Sequence, residues 1–527
     1  MSELKVEIVP FGPGPEDVEA AARSALGHPD VERELGGADH RVLSVAPVEP
    51  EPDAHDEGLP EPTRVRATVY DYENERTLVV EGSLDGDDGV AVRETVRQPI
   101  PSAGEFDAAV AALARDPGLG PALESKALTP YRPMPPLVLD ELPDGTIERT
   151  VAVGLRPATE ADDRHEIVAV KPARGGVIRF DTGAPAAALA ADTECGADDA
   201  GQQTTDRGTP GRAKVTVTRD GETVWTFVAV RPSVSVGTNG SGVELRRVEY
   251  RGKRVLRRAH VPILNVRYRE DACGPFRDWQ FEEGMFKADG DDVAPGFRLC
   301  PSKAETMLES GNDHGNFRGV AVYVDADEVV LVSELEAGWY RYISRWRLHA
   351  DGTIKPRFGF GAVESTCVCN LHHHHAYWRL DFDVAGPAPN EVREFNDPPV
   401  TGADNWHRLG HEIRRRRDES RNRKWQVRNS ASGESYTLIP GANDGEADAA
   451  FGVGDLWALR HRPDQIDDGI GFTTDLTEAR AHLNQFLNGE PIGDSNVVLW
   501  YAAHFSHDVH QHDVGHIVGP SLAPADW

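Results

Sequence analysis

The chain has 527 residues, and its composition and charge exclude several classes of protein. A chain of this length is expected to form two to four domains, and 39% hydrophobic with 7% aromatic residues is typical of a globular protein. The net charge of −31 disfavours binding to the backbone of DNA or RNA. No apolar run approaches about 18 residues, so we expect no membrane span. The N-terminus, MSELKVEIVP, lacks a secretory pattern, so we expect a cytoplasmic protein.

The basic residues are 9 Lys and 47 Arg against 87 acidic residues. This balance has two interpretations, a protein kept soluble in concentrated salt or a GC-rich genome. An acidic surface attracts cationic small molecules such as amines, but at 1 M salt the attraction is screened within about 3 Å.

The five cysteines are Cys195, Cys273, Cys300, Cys367 and Cys369. An odd number spread along a long chain does not indicate a disulfide framework. Cys367 and Cys369 stand at strand spacing before a histidine block, where soft thiolate ligation of a metal is one interpretation. The pattern favours the second interpretation, in which these cysteines are buried reduced thiols.

Residues 1–100 predict a small α+β domain. Apolar residues at helical spacing follow a Gly-Pro opening and predict a helix over residues 15–35. Alternating runs then predict strands over residues 40–46, 63–72, 77–82 and 89–97. The Pro- and acid-rich residues 47–62 are predicted to form a loop within this unit.

Residues 101–185 predict a second unit of the same kind. Ser102 followed by Glu105 is a capping box before a helical pattern. Strands are predicted over residues 137–142, 148–154 and 166–171, so the order of a helix followed by strands recurs. Residues 186–211, rich in Ala, Gly, Asp and Thr, are predicted to be a linker.

Residues 212–527 predict a large, mostly antiparallel β-sandwich. Short strand patterns alternate with turn signals such as Asp-Gly and Arg-Gly, and no alternation of strands with helices occurs. One helical piece is predicted over residues 476–487.

Four consecutive histidines, His372 to His375, open a strand-like run in this region. Because strand side chains alternate, His372 and His374 share one face and can share a metal. The alternative is a solvated polar strand end. A third ligand is available near the C-terminus, where five histidines follow a strand pattern, although spacing alone does not choose among them: His504, His507, His510, His512 and His516. Three His with open positions suit a reactive copper, zinc or iron centre.

At these residues the chain resembles the copper amine oxidases. His372 and His374 stand seven and five residues before Arg379-Leu380-Asp381, as the family's H-x-H pair does. Trp500-Tyr501 places His507 at the family's third copper ligand. The resemblance therefore implies a copper site formed by His372, His374 and His507.

The resemblance also extends to the residues of the organic cofactor. Tyr340 takes the position of the tyrosine that becomes topaquinone, with Trp339 in place of the family's Asn and Arg341 in place of an acid. In a gapless alignment of residues 264–284, Tyr268 matches the tyrosine that hydrogen-bonds the quinone. Glu282 matches the catalytic base, usually Asp, and Gln280 replaces an aromatic gate.

The resemblance implies oxidation of a primary amine with O₂ to an aldehyde, ammonia and hydrogen peroxide by a homodimer. It further implies that the two small units correspond to the family's N2 and N3 domains. Asp381, Asp383 and the Phe382 carbonyl correspond to a peripheral site for calcium or a similar ion, and the alternative is an acidic surface without a bound ion. The alternative to an oxidase is a catalytically degenerate homologue that binds copper and has a structural or metal-binding role. Trp339, Arg341 and Gln280 favour that alternative.

Overall fold

The computed structural model describes the greater part of the chain. The described residues are 3–48, 61–86, 89–95, 98–133, 137–141, 147–157, 166–172, 175–179, 196–197, 208, 210–268, 277–363, 368, 371–447, 453–471, 480–507 and 516–527. Cys195, Cys273, Cys367, Cys369, His510, His512 and most of the predicted linker lie outside them. No helix among the described residues is long and apolar enough to cross a membrane.

The N-terminal hundred residues form a helix-covered antiparallel sheet and one additional strand. Their elements are β1 (Lys5–Pro10), α1 (Pro15–Leu26), α2 (Pro29–Leu35), β2 (His40–Val48), β3 (Arg64–Asp71), β4 (Arg76–Ser83) and β5 (Ala91–Thr95). Strands β2 to β5 form a four-stranded sheet in chain order, and α1 buries Val18, Ala21 and Ala22 against it. β1 instead pairs with a strand of the large C-terminal sandwich, so the small unit begins after it.

The helix predicted over residues 15–35 is divided in two. Gly27 ends α1, and Pro29, which has no N–H to donate, begins α2. His28 between them is extended and accepts a hydrogen bond from the Asp30 N–H at 3.2 Å. A proline at the first position of a helix explains the break that apolar spacing alone did not indicate.

The second small unit is a five-stranded sheet with one longer helix. Its elements are α3 (Ala103–Leu113), α4 (Gly120–Glu124), β6 (Leu128–Tyr131), β7 (Leu137–Glu141), β8 (Ile147–Pro157), β9 (Glu166–Val170) and β10 (Val177–Arg179). The predicted capping box forms, because the Glu105 N–H donates to Ser102 Oγ and the Ser102 N–H donates to Glu105 Oε2.

The rest of the chain forms the predicted β-sandwich, which confirms the predicted fold class. Its first half contains β11 (Arg212–Arg219), β12 (Glu222–Val230), β13 (Glu244–Tyr250), β14 (Lys253–Tyr268), β15 (Asp291–Ala294), β16 (Phe297–Leu299), α5 (Met307–Ser310), β17 (Val320–Asp325), β18 (Glu328–Ala337), β19 (Tyr340–His349) and β20 (Ile354–Ala362). Its second half contains β21 (His372–Phe382), β22 (Asn390–Phe395), β23 (Trp406–Leu409), β24 (Ile413–Arg415), β25 (Lys424–Asn429), β26 (Ser435–Ile439), β27 (Leu456–Arg460), β28 (Val497–His507), β29 (His516–Val518) and β30 (Ser521–Ala525). In the region of the predicted helix 476–487, the described part contains only a 3₁₀ turn, Leu483–Phe486.

Two large sheets enclose the main hydrophobic core. One has the strand order β1-β11-β12-β13-β14-β21-β28-β27-β24, and the other contains twelve strands, including β17, β18, β19 and β20 side by side. Inward side chains of both sheets interdigitate in this core, for example Leu264 and Leu380 from the first sheet with Leu335 and Tyr342 from the second. A residue at the end of β19 can therefore face residues at the ends of β14, β21 and β28.

Candidate active site between the sheets

Three neighbouring strands bring Tyr268, His372 and His507 into one row. In the register of the first sheet, Tyr268 of β14 lies opposite His372 of β21, and His372 lies opposite His507 of β28. His374 follows two residues along β21 on the same face, and all three histidines are buried. The row closes one end of the space between the two sheets.

The His372 imidazole contacts each of the other two. His372 Nε2 is 3.1 Å from His507 Nδ1, and the His372 ring lies 4.7 Å from the His374 ring and 4.6 Å from the His507 ring. Burial and the neighbouring imidazoles lower the pKa of His374 well below 6.5, so this ring is neutral, as a metal ligand must be. His374 Nδ1 is buried without a hydrogen-bond partner among the described residues.

Three imidazoles are donors of the kind that bind copper, zinc or iron. Nitrogens that share a metal at about 2.0–2.1 Å stand roughly 3 Å apart, and His372 Nε2 and His507 Nδ1 are this close, although as a hydrogen-bonded pair. In the part of the chain that the structure describes, however, no three ligand groups meet the geometry of a metal centre. The His374 ring would therefore have to adjust for all three to share one ion.

Of the other described histidines of the two clusters, His373, His375 and His504 contact other groups, whereas His516 lies next to His507. His375 points to the opposite face of the sheet, where its Nδ1 is 2.7 Å from His504 Nδ1. His373 contacts Ser506 Oγ at 2.9 Å, and the His516 ring lies 5.5 Å from that of His507. The alternation of strand side chains therefore separates His372 and His374 from their neighbours.

Tyr340 reaches this row from the second sheet. Its hydroxyl is 2.6 Å from that of Tyr268, and its ring lies 5.9 Å from His372 and 5.2 Å from His374. The ring also stacks on Tyr342 at 5.2 Å. Tyr340 is buried, so bulk water has little access to the ring.

The residues that flank Tyr340 take separate roles. Trp339 Nε1 donates a hydrogen bond of 3.1 Å to the Tyr268 hydroxyl. The Arg341 side chain points to the opposite face of β19, where it forms a two-pronged ion pair with Asp313 at 2.6 and 2.9 Å. Both departures from the expected motif therefore have defined partners.

Two buried carboxylates lie near the site in different environments. Glu282, the predicted base, is 3.0 Å from Arg132 through Oε1 and accepts a hydrogen bond of 2.7 Å from Trp279 through Oε2. Asp278 accepts a hydrogen bond from the Tyr342 hydroxyl through Oδ2, and its Oδ1 has no hydrogen-bond partner within the described residues. Burial raises the pKa of Asp278 to about 7.

Asp278 was not among the residues that the sequence singled out. The sequence does contain an acidic residue at this point, four residues before Glu282, but the gapless alignment matched Glu282 to the position of the catalytic base. Gln280 is held by the main chain, since its Nε2 donates to the Val261 carbonyl at 2.5 Å.

The predicted calcium position has some of the oxygen atoms that such an ion needs. Asp381 Oδ2 is 3.1 Å from His461 Nε2, and Asp383 Oδ2 is 3.4 Å from Arg254 Nη1. Asp381 Oδ1, Asp383 Oδ1 and Asn496 Oδ1 are buried without a hydrogen-bond partner in the described residues. These oxygens suit a hard cation, but the adjacent His461 and Arg254 weaken the negative charge that would hold it.

The chain has the fold of the copper-containing amine oxidases. It is similar to a copper-containing benzylamine oxidase from Hansenula polymorpha with 11% identity and a TM-score of 0.56, over 99% of this chain and 92% of that one. An Aspergillus nidulans amine oxidase matches with 13% identity and a TM-score of 0.56, over 98% and 88% of the two chains. The Pichia pastoris lysyl oxidase matches with 12% identity and a TM-score of 0.55, over 98% and 91%. No protein-family model matches the sequence, and no curated protein matches it.

Proposed function

We propose that the protein is a copper- and topaquinone-dependent primary-amine oxidase. The overall reaction is R–CH₂–NH₂ + O₂ + H₂O → R–CHO + NH₃ + H₂O₂. The observation that carries the proposal is the buried contact of the Tyr340 hydroxyl with Tyr268 beside three clustered histidines. The fold of the copper-containing amine oxidases supports the same conclusion.

The copper ligands in this proposal are His372, His374 and His507. Copper bound there would supply the O₂-dependent oxidation of the Tyr340 ring, and the resulting quinone would supply the electron sink for amine oxidation. The support for this ligand set is the burial of the three residues, the contacts of His372 with the other two, and the neutral state of His374.

The protein's own side chains would orient the reacting ring and move a proton. Tyr268 holds the Tyr340 oxygen by a hydrogen bond of 2.6 Å, and Tyr342 and His374 pack against the Tyr340 ring. Asp278 Oδ1 is the proton acceptor that we propose, because it is buried, unpartnered among the described residues and has a pKa near neutrality. Glu282, the base predicted from the sequence, is the alternative, but both of its oxygens already have partners.

Expression with Cu²⁺ in air, followed by a visible spectrum, tests the proposal. We expect a broad visible band from the quinone that reacts with phenylhydrazine, and Tyr340→Phe should abolish it. Colourless protein that binds copper but releases no hydrogen peroxide from any primary amine would contradict it.

The second candidate is a copper-binding homologue without a quinone. Trp339, Arg341 and Gln280 favour it, because each departs from the motif expected around the quinone. The spectrum separates the two candidates, since only the oxidase develops the visible band.

We also propose that Asp381 and Asp383 bind a peripheral calcium ion. A titration with calcium that follows the melting temperature tests this.

A further inference from the structure

The turn between β18 and β19 connects to the candidate site through Trp339. Gly338 and Trp339 form this two-residue turn, and Gly338 has a φ of +61°, which glycine adopts without strain. The turn leaves the Trp339 side chain only 8% exposed, with Nε1 3.1 Å from the Tyr268 hydroxyl. A turn residue thus contacts the hydroxyl that holds Tyr340.

The direction of these hydrogen bonds follows from the chemistry of the indole. An indole N–H can only donate, so the Tyr268 oxygen accepts from Trp339. This favours the arrangement in which Tyr268 donates its own proton to the Tyr340 oxygen, 2.6 Å away. In a series of linked hydrogen bonds each bond polarises the next, so the hydrogen bond from Trp339 makes the Tyr268 hydroxyl a stronger donor than it would be without the indole.

The packing contacts of the Tyr340 ring and the hydrogen bond to its oxygen constrain the residue in different ways. The ring stacks on Tyr342 with an angle of 18° between the planes and meets His374 edge-on at 80°. These contacts set the plane of the ring. The hydrogen bond from Tyr268 sets where its oxygen lies within that plane.

We propose that Trp339 is a positioning residue that fixes the orientation of the Tyr340 oxygen through Tyr268. The inference rests on the proposed function and deepens it, because it gives a role to a residue that departs from the expected motif. Trp339 itself does not hold the Tyr340 oxygen, and the two rings lie 6.3 Å apart. Displacement of a reacting group by about 1 Å can cost roughly 10²-fold in rate.

The first experiment uses metal-free protein, in which Tyr340 is unmodified. The ten tryptophans give ten indole N–H signals in a ¹H–¹⁵N spectrum, and Trp339→Phe assigns one of them. We expect Tyr268→Phe to move that signal upfield and to speed its exchange with solvent. A Trp339 signal that does not respond to Tyr268→Phe would overturn the inference.

The second experiment measures quinone formation after copper is added. Trp346→Phe is the matched control, because Trp346 is a buried residue of β19 whose Nε1 donates to the Val243 carbonyl at 2.8 Å. We expect Trp339→Phe to slow quinone formation about 5- to 100-fold at unchanged copper content, with Trp346→Phe close to the wild type. Equal rates in Trp339→Phe and the wild type would overturn the inference and leave the proposed function standing. Wild-type protein that forms no quinone would overturn the proposed function. The response of the Trp339 indole signal to Tyr268→Phe would then be the test of the hydrogen bond between Trp339 and Tyr268.

Discussion

At the scale of single residues, the surroundings of a carboxylate decide what it can do. Asp278 and Glu282 are both buried and four residues apart, but Glu282 has Arg132 and Trp279 as partners. Asp278 keeps one unpartnered oxygen within the described residues, and burial raises its pKa to about 7. A carboxylate with a pKa near neutrality is suited to accept a proton, whereas one held by an arginine is suited to structural support.

We predict that Asp278→Asn lowers kcat/KM about 10²- to 10⁴-fold, because the proton acceptor is lost. Glu282→Gln should lower it less than about 10-fold, and this variant is the matched control. The measurement is steady-state peroxide release at equal quinone content. A larger loss for Glu282→Gln would make Glu282 the base instead.

The pH dependence should follow the same carboxyl group. The acceptor must be ionised, so kcat/KM should rise as the pH increases through about 7, the pKa of Asp278, and then level off. A pH–rate profile of the wild type measures this directly. A profile that is flat between about pH 6 and 8 would exclude a base with this pKa.

We predict that His374→Ala abolishes tight copper binding, because the site would lose one of three ligands. His373→Ala is the control, since His373 lies on the other side of the strand against Ser506. Copper content after dialysis and the copper-induced rise in melting temperature should fall only in His374→Ala. Similar copper content in the two variants would place the metal elsewhere.

At the scale of the elements, a buried hydrogen bond from Tyr72 to Glu105 joins the two small units, and an ion pair to Arg149 holds Glu105 in place. Glu105, in the first turn of α3, lies 2.7 and 2.8 Å from Arg149 of β8 and accepts a hydrogen bond of 2.6 Å from Tyr72 of the first unit. All three residues are buried. The cap of one helix therefore also connects two sheets.

We predict that Glu105→Gln destabilises the protein by about 3–5 kcal/mol, because it leaves Arg149 buried without its charged partner. The arginine and the hydrogen bonds hold the pKa of Glu105 below its usual value despite burial. This stabilisation is therefore complete above the unfolded-state pKa of about 4.3 and is lost as the pH falls toward the folded-state pKa. Urea unfolding at pH 7 and pH 3 measures both effects, and equal losses at the two pH values would contradict the assignment.

At the scale of the whole molecule, the charge of −31 is the dominant electrostatic feature. Like charges on a compact surface repel one another and destabilise the folded state. Salt weakens this repulsion, because the Debye length falls from about 10 Å at 0.1 M to 3 Å at 1 M.

We predict that the melting temperature rises when NaCl is increased from 0.1 to about 2 M, and that structure is lost on dialysis to low salt. Circular dichroism follows both changes. Replacing the salt with an uncharged osmolyte of equal osmolarity is the control. A melting temperature that does not change with salt would exclude the high-salt interpretation of the composition. The interpretation from a GC-rich genome would then be the one that stands.

Some of this protein could be worked out from the sequence alone, because the relevant signals are local. The twofold period of a strand placed His372 and His374 on one face, and the Ser102–Glu105 spacing predicted a cap that the structure contains. Alternating patterns predicted most strands of the small units, since each strand buries one face of its sheet. The net charge, and the dependence of stability on salt that it predicts, also follow from the composition without knowledge of the fold.

Tertiary structure alone decided the rest. Tyr268 and Tyr340 are 72 positions apart, and only the packing of the two sheets brings their hydroxyls together. The same packing gives Glu282 its arginine, leaves an oxygen of Asp278 unpartnered, and aims Trp339 at Tyr268. The physical reason is that a local pattern determines the face on which a side chain lies, whereas its partners, and therefore its pKa and chemistry, come from long-range packing.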